Sequence, residues 1–69
     1  MSLFDVGGYM INAKMIEYVS PTDGDPTHER YSVYFRSGNK MTIYNKRTDL
    51  GIQMPRVVFI ANWQNALKD

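Results

Sequence analysis

Sixty-nine residues with eight Lys and Arg against seven Asp and Glu make a short, almost neutral chain, so no global field draws it to nucleic acid or acidic lipid, and such binding needs a local patch. This length makes one domain, residues 1–69, near the lower limit for independent folding, and the absence of cysteine excludes both a disulfide framework and a thiolate metal site as extra support. The N-terminus has no basic region leading into an apolar core, and no stretch approaches the ~20 apolar residues of a membrane span, which predicts a cytoplasmic protein without a membrane partner.

Leu3, Phe4 and Val6 suit a first strand, which Gly7-Gly8 ends or bends, with Tyr9 to Ile11 as its partner or extension. The Asn12 side chain can accept a backbone N–H two or three residues on and close a helical turn over Ala13-Lys14-Met15. A further strand follows at Ile16 to Val19. Ser20 to Glu29 holds two prolines and a glycine among short polar residues, which predicts a long, exposed, mobile loop.

The run Tyr31 to Tyr44 reads as a β-hairpin. Period-two alternation puts Tyr31, Val33 and Phe35 on one face of its first strand and Met41 and Ile43 on one face of its second. A three-residue loop, Ser37-Gly38-Asn39 with Asn39 left-handed, brings those faces together, with Phe35 opposite Met41 and Val33 opposite Ile43. The other face carries Ser32, Tyr34, Arg36, Lys40, Thr42 and Tyr44, with Lys46 in phase.

Asn45 to Met54 reads as a connection with a turn around Asp49. From Pro55, favoured in a first helical turn, the pattern becomes helical. Phe59, Ile60, Trp63, Ala66 and Leu67 form an apolar stripe, opposite Asn62, Gln64, Asn65, Lys68 and Asp69. Val57 and Val58 fit the helix less well and suit a preceding extended segment. The predicted class is α+β: a small antiparallel sheet of three to five strands with one C-terminal helix on its apolar face.

Catalytic chemistry has no supporting constellation. His28 is the one histidine, and no Gly-x-Ser-x-Gly turn is present, so the chain reads as no enzyme, with no cofactor. Asp23, Asp25, Thr27, His28 and Glu29 could gather round a hard cation, but their spacing departs from the EF-hand series. A metal-free surface loop is the simpler reading. Gly7-Gly8 lacks the Gly-Lys-Ser/Thr of a phosphate loop.

The candidate binding surface is Tyr34, Arg36, Lys40, Tyr44 and Lys46, with Arg47 nearby. Cations interleaved with rings are the ingredients of single-stranded nucleic-acid binding. They are equally the ordinary furnishing of a solvated sheet face. Phe59 and Trp63, with Val57, Val58 and the first strand, also suit self-association.

The order Ile11-Asn-Ala-Lys-Met-Ile-Glu-Tyr-Val19, then Tyr31-Ser-Val-Tyr-Phe-Arg-Ser-Gly-Asn-Lys-Met-Thr-Ile43, resembles the FlbD/SwrD family of small bacterial flagellar and swarming-motility proteins. The matching positions are Asn12, Ile16, Val19, Gly38, Lys40 and Ile43. This resemblance implies a non-catalytic, partner-binding role. A looser similarity to the strand pattern of LytTR DNA-binding domains implies the nucleic-acid alternative. The expectation is therefore a protein-interaction or assembly module of a bacterial or phage cell, binding protein, its own copies included, with a small nucleic-acid-binding module as the alternative.

Overall fold

The computed structural model describes residues 2–46 and 49–68, so Arg47 and Asp69 lie outside the described residues. The elements are β1 (Leu3–Val6), β2 (Tyr9–Asn12), a 3-10 turn (Ala13–Met15), β3 (Ile16–Val19), β4 (Arg30–Phe35), β5 (Lys40–Tyr44) and α1 (Arg56–Leu67). β1 and β2 form one antiparallel sheet and β3-β4-β5 a second.

β1 and β2 pair from Leu3 opposite Asn12 to Val6 opposite Tyr9. Gly7 and Gly8 turn the chain with φ of 56° and 90°, the left-handed pair that a two-residue hairpin requires. A Cβ on Gly7 would also stand 2.7 Å from Ile52 Cγ2, so turn and packing both exclude a side chain. Asn12 Oδ1 accepts the Lys14 N–H at 3.0 Å and caps the 3-10 turn as the sequence suggests.

In β3, Ile16 faces Phe35 while Tyr18 faces Tyr34, a register shift that leaves Glu17 as a bulge. The extra residue resets the alternation. Ile16 and Val19, three apart, are therefore both buried, while Tyr18 stays outside.

The β4–β5 hairpin keeps its expected faces but not its expected register. Tyr31 pairs with Ile43, Val33 with Met41 and Tyr34 with Lys40. Phe35 N–H donates to Asn39 O and Gly38 N–H to Phe35 O, both at 2.9 Å, so the loop is Arg36-Ser37-Gly38. Gly38 is the left-handed residue at φ 94°, and no described non-glycine residue has positive φ. Glycine takes that conformation without the Cβ clash that Asn39 would meet. Because the slip is two residues, every residue that stays in a strand keeps its side of the sheet.

Beyond Tyr44 the chain turns at Asp49-Leu50 and returns, with Tyr44 N–H donating to Ile52 O at 2.8 Å and Met54 N–H to Tyr44 O at 2.9 Å. α1 starts at once after Pro55, so Val57 and Val58 sit in its first turn rather than in an extended segment. Pro55 offers no side-chain cap. Asn45 Oδ1 replaces it, accepting the Arg56 N–H at 2.9 Å from the end of the hairpin. Val57 and Val58 are exposed because their side of the helix faces away from the core. Phe59 and Ala66 are buried and Ile60 and Trp63 half-buried, while Leu67, assigned to the same stripe, is exposed. At 100° per residue Leu67 lies about 80° round the helix from Phe59, on the stripe's edge.

α1 packs against β1 and the 3-10 turn as well as the larger sheet. Phe59, with no exposed surface, meets Phe4 edge-on at 5.4 Å and Tyr31 at 5.8 Å between ring centroids. Trp63 Nε1 donates to Ala13 O at 3.0 Å. The Tyr31 hydroxyl donates to Met54 O at 2.7 Å, and burial pushes its pKa above the ordinary phenol value, more than the nearby Arg56 charge lowers it.

Replacing Phe59 by Ala removes the ring shared by both sheets. The expected loss of about 3–5 kcal/mol consumes most of the roughly 5 kcal/mol available to so small a domain. Thermal unfolding followed by circular dichroism should show no cooperative transition for Phe59→Ala, while the exposed Val57→Ala stays within ~0.5 kcal/mol of the parent.

Candidate functional site

Core packing occupies the inner face of the three-stranded sheet, and the outer face is built by the same alternation. Across it run Tyr18, Tyr34 and Lys40 in one row and Ser20, Ser32 and Thr42 in the next, with Arg30 beyond. Ser20 continues the ladder past β3: its N–H donates to Ser32 O and its Oγ accepts the Ser32 N–H, both at 2.8 Å. Asp23 and Arg30 exchange backbone bonds of 2.7 and 2.9 Å. Pro21 to Asp23 thus forms a wall beside the hairpin, leaving an open groove of about 530 Å³ that Arg30, Ser32, Tyr34 and Lys40 also line.

At one end of the groove the Tyr18 and Tyr34 rings lie 5.6 Å apart with planes at 33°, still 52% and 36% exposed. Lys40 Nζ stands 5.9 Å from the Tyr34 ring centre, at the outer limit of a cation–π contact. At the other end Arg30 Nη1 donates to His28 O at 3.4 Å. Among the described residues no carboxylate pairs with Arg30 or Lys40. Asp23, the acid on the groove wall, accepts its neighbour Gly24's N–H at 2.8 Å.

Of the candidate residues, the groove gathers Tyr34 and Lys40. Arg36 is displaced from the strand face: the altered loop places it in the turn, where its N–H donates to Met15 O at 2.8 Å and its Nε to Lys14 O at 3.1 Å. Tyr44 is half-buried, its ring beside Gly51. Lys46 is exposed past the end of β5. The sequence reading missed Tyr18 and Arg30. Arg30 was within reach, being in phase with Ser32 and Tyr34, whereas Tyr18 reaches this face through a bulge that no residue type announces.

The 20–29 loop ties its polar groups to one another. Asp25 Oδ1 accepts Thr27 Oγ1 at 2.7 Å and the Thr27 N–H at 3.0 Å, and lies 3.1 Å from His28 Nδ1. Thr27 Oγ1 meets that same Nδ1 at 2.8 Å. A catalytic triad uses opposite ring nitrogens for its hydroxyl and its carboxylate, so this cluster closes a turn and does not arm a nucleophile. Glu29 Oε1 instead meets Asn45 Nδ2 at 3.5 Å, and among the described residues no three His, Asp or Glu side chains are placed to hold a metal ion. Among the described residues, no helix is long and apolar enough to cross a membrane.

No family model, curated protein or solved structure gives a significant match to this chain.

The Thr27 hydroxyl first, then the bond to His28, hold the Asp25 carboxyl at about 2, below its usual value. A lowered carboxyl pKa means that the tie is fully present above the ordinary Asp range, near 4, and is lost as pH falls through 2. An NMR titration of the Asp25 carboxyl carbon should give a midpoint near 2, and Thr27→Val should move it toward the ordinary value.

Proposed function

We propose that this chain is a non-enzymatic interaction module of a bacterial or phage cell that docks a protein segment on the outer face of its three-stranded sheet. The observation that carries the reading is the Tyr18–Tyr34 pair, two neighbouring rings at one end of a groove that both keep solvent-exposed surface. Tyrosine brings large, rigid contact area with a polar tip, which makes it a frequent anchor of protein interfaces.

The sheet edges are less suited to the task. β3 carries its bulge at the charged Glu17, a device that discourages edge pairing. The outer edge of β5 is engaged at Tyr44 by the parallel bridge to Gln53. The FlbD/SwrD resemblance points in the same non-catalytic direction.

A nucleic-acid role draws on the same Tyr and Lys residues, together with Arg30. Two cations line the groove, while Arg36 is turned to the 3-10 turn. Each neutralised phosphate of a single strand contributes roughly 0.7 to the salt slope of binding, so two contacts give weak retention. Protein is the better-supported partner.

The test is capture from bacterial extract on the immobilised full chain, against a Tyr18→Ala/Tyr34→Ala variant whose fold is verified by circular dichroism. The expected result is a discrete set of polypeptides held by the parent, lost by the variant and indifferent to nuclease. Equal capture by both proteins, or capture that nuclease abolishes, overturns the proposal.

A further inference from the structure

The chemistry of the groove narrows its partner. Arg30 and Lys40 are the two cations along it, and among the described residues no carboxylate stands within ion-pair distance of either; Asp23, the acid on the wall across from Arg30, is tied to the Gly24 N–H. They stand at opposite ends: Lys40 is the cross-strand neighbour of Tyr34, four residues along β4 from Arg30. At about 3.3 Å per residue that separation is roughly 13 Å. Between them the floor is made of hydroxyls, Ser32 and Thr42, which can donate or accept and impose no charge of their own. The tyrosine pair lies at the Lys40 end.

We infer that the groove binds an extended acidic protein segment, with carboxylates four residues apart meeting Lys40 and Arg30 and an apolar side chain against Tyr18 and Tyr34. An extended chain has the required repeat, since its residues i and i+4 share a face at about 13 Å. A nucleic-acid strand does not match as well, because it presents a phosphate at every nucleotide while the groove supplies a cation only at each end. This inference rests on the docking face proposed above and adds the charge and spacing of what docks there.

The probe is a pair of fluorescein-labelled extended peptides, Leu-Thr-Glu-Thr-Thr-Thr-Glu, whose Leu shares the face of both Glu, and its counterpart with both Glu replaced by Gln, followed by anisotropy against the full chain. Labelled oligothymidylate is the third arm. The Glu peptide should bind at least about tenfold tighter than the Gln peptide at low salt and weaken as salt rises. Lys40→Gln and Arg30→Gln should each weaken it roughly threefold, the scale of an exposed ion pair, with unchanged circular dichroism. Lys40→Gln keeps the test valid if Arg30→Gln disturbs the bond to His28 O. Equal affinity for the two peptides, binding of neither, or preference for the oligonucleotide overturns the inference. If the protein captured through Tyr18 and Tyr34 binds the Lys40→Gln/Arg30→Gln variant as well as the parent, the acidic specificity falls while the docking face stands.

Discussion

Everything in this fold depends on where one ring sits. Phe59 projects from the first turns of α1 and meets Phe4 of the small sheet on one side and Tyr31 of the larger sheet on the other. The two-stranded sheet is marginal in isolation, and the three-stranded one needs its apolar face covered. Sharing a buried ring joins two marginal sheets and a short helix into one core, which also holds Val6, Ile11, Val33 and Ile43. The polar bonds around it fix the approach of the helix: Asn45 caps its start, Arg56 Nε donates to Ser20 O at 2.8 Å, and Trp63 reaches Ala13 O.

This arrangement decides which surface is left for function. The inner face of β3-β4-β5 is consumed by the core, and its two edges carry a bulge and a returning segment. The outer face of this sheet stays accessible, and there the same strand pairing that aligns Val33 with Met41 aligns Tyr34 with Lys40 and Ser32 with Thr42. The proposed docking face is thus a direct product of the register that builds the core.

Much of this was legible from residue pattern. Alternation assigned Val33 and Ile43 inward and Tyr34 and Lys40 outward, Gly7-Gly8 marked a turn, Asn12 marked a cap, and Phe59 led the helical stripe. The hairpin loop was misplaced because a slip of two residues preserves the face of every residue that stays in a strand, so alternation cannot choose between registers. The choice falls instead to Gly38, the residue that enters left-handed space at least cost. That slip removed Arg36 from the candidate face. Tyr18 and the division of the strands into two sheets were hidden for another reason: the Glu17 bulge and the Phe4–Phe59–Tyr31 contact are tertiary, and local propensity does not encode them. The helix start was likewise read late at Val57 and Val58, since its cap comes from Asn45, across a chain reversal.

If Phe59 makes the two sheets one unit, they must open together. Native-state hydrogen exchange on the intact chain measures this residue by residue. The most protected amides of the β1–β2 hairpin and of the β4–β5 hairpin should share one opening free energy, agreeing within about 1 kcal/mol and matching that of global unfolding. Exchange of the β1–β2 amides at a clearly lower free energy, while β4–β5 stays protected, would show that the small sheet opens alone and would contradict the central role given to Phe59.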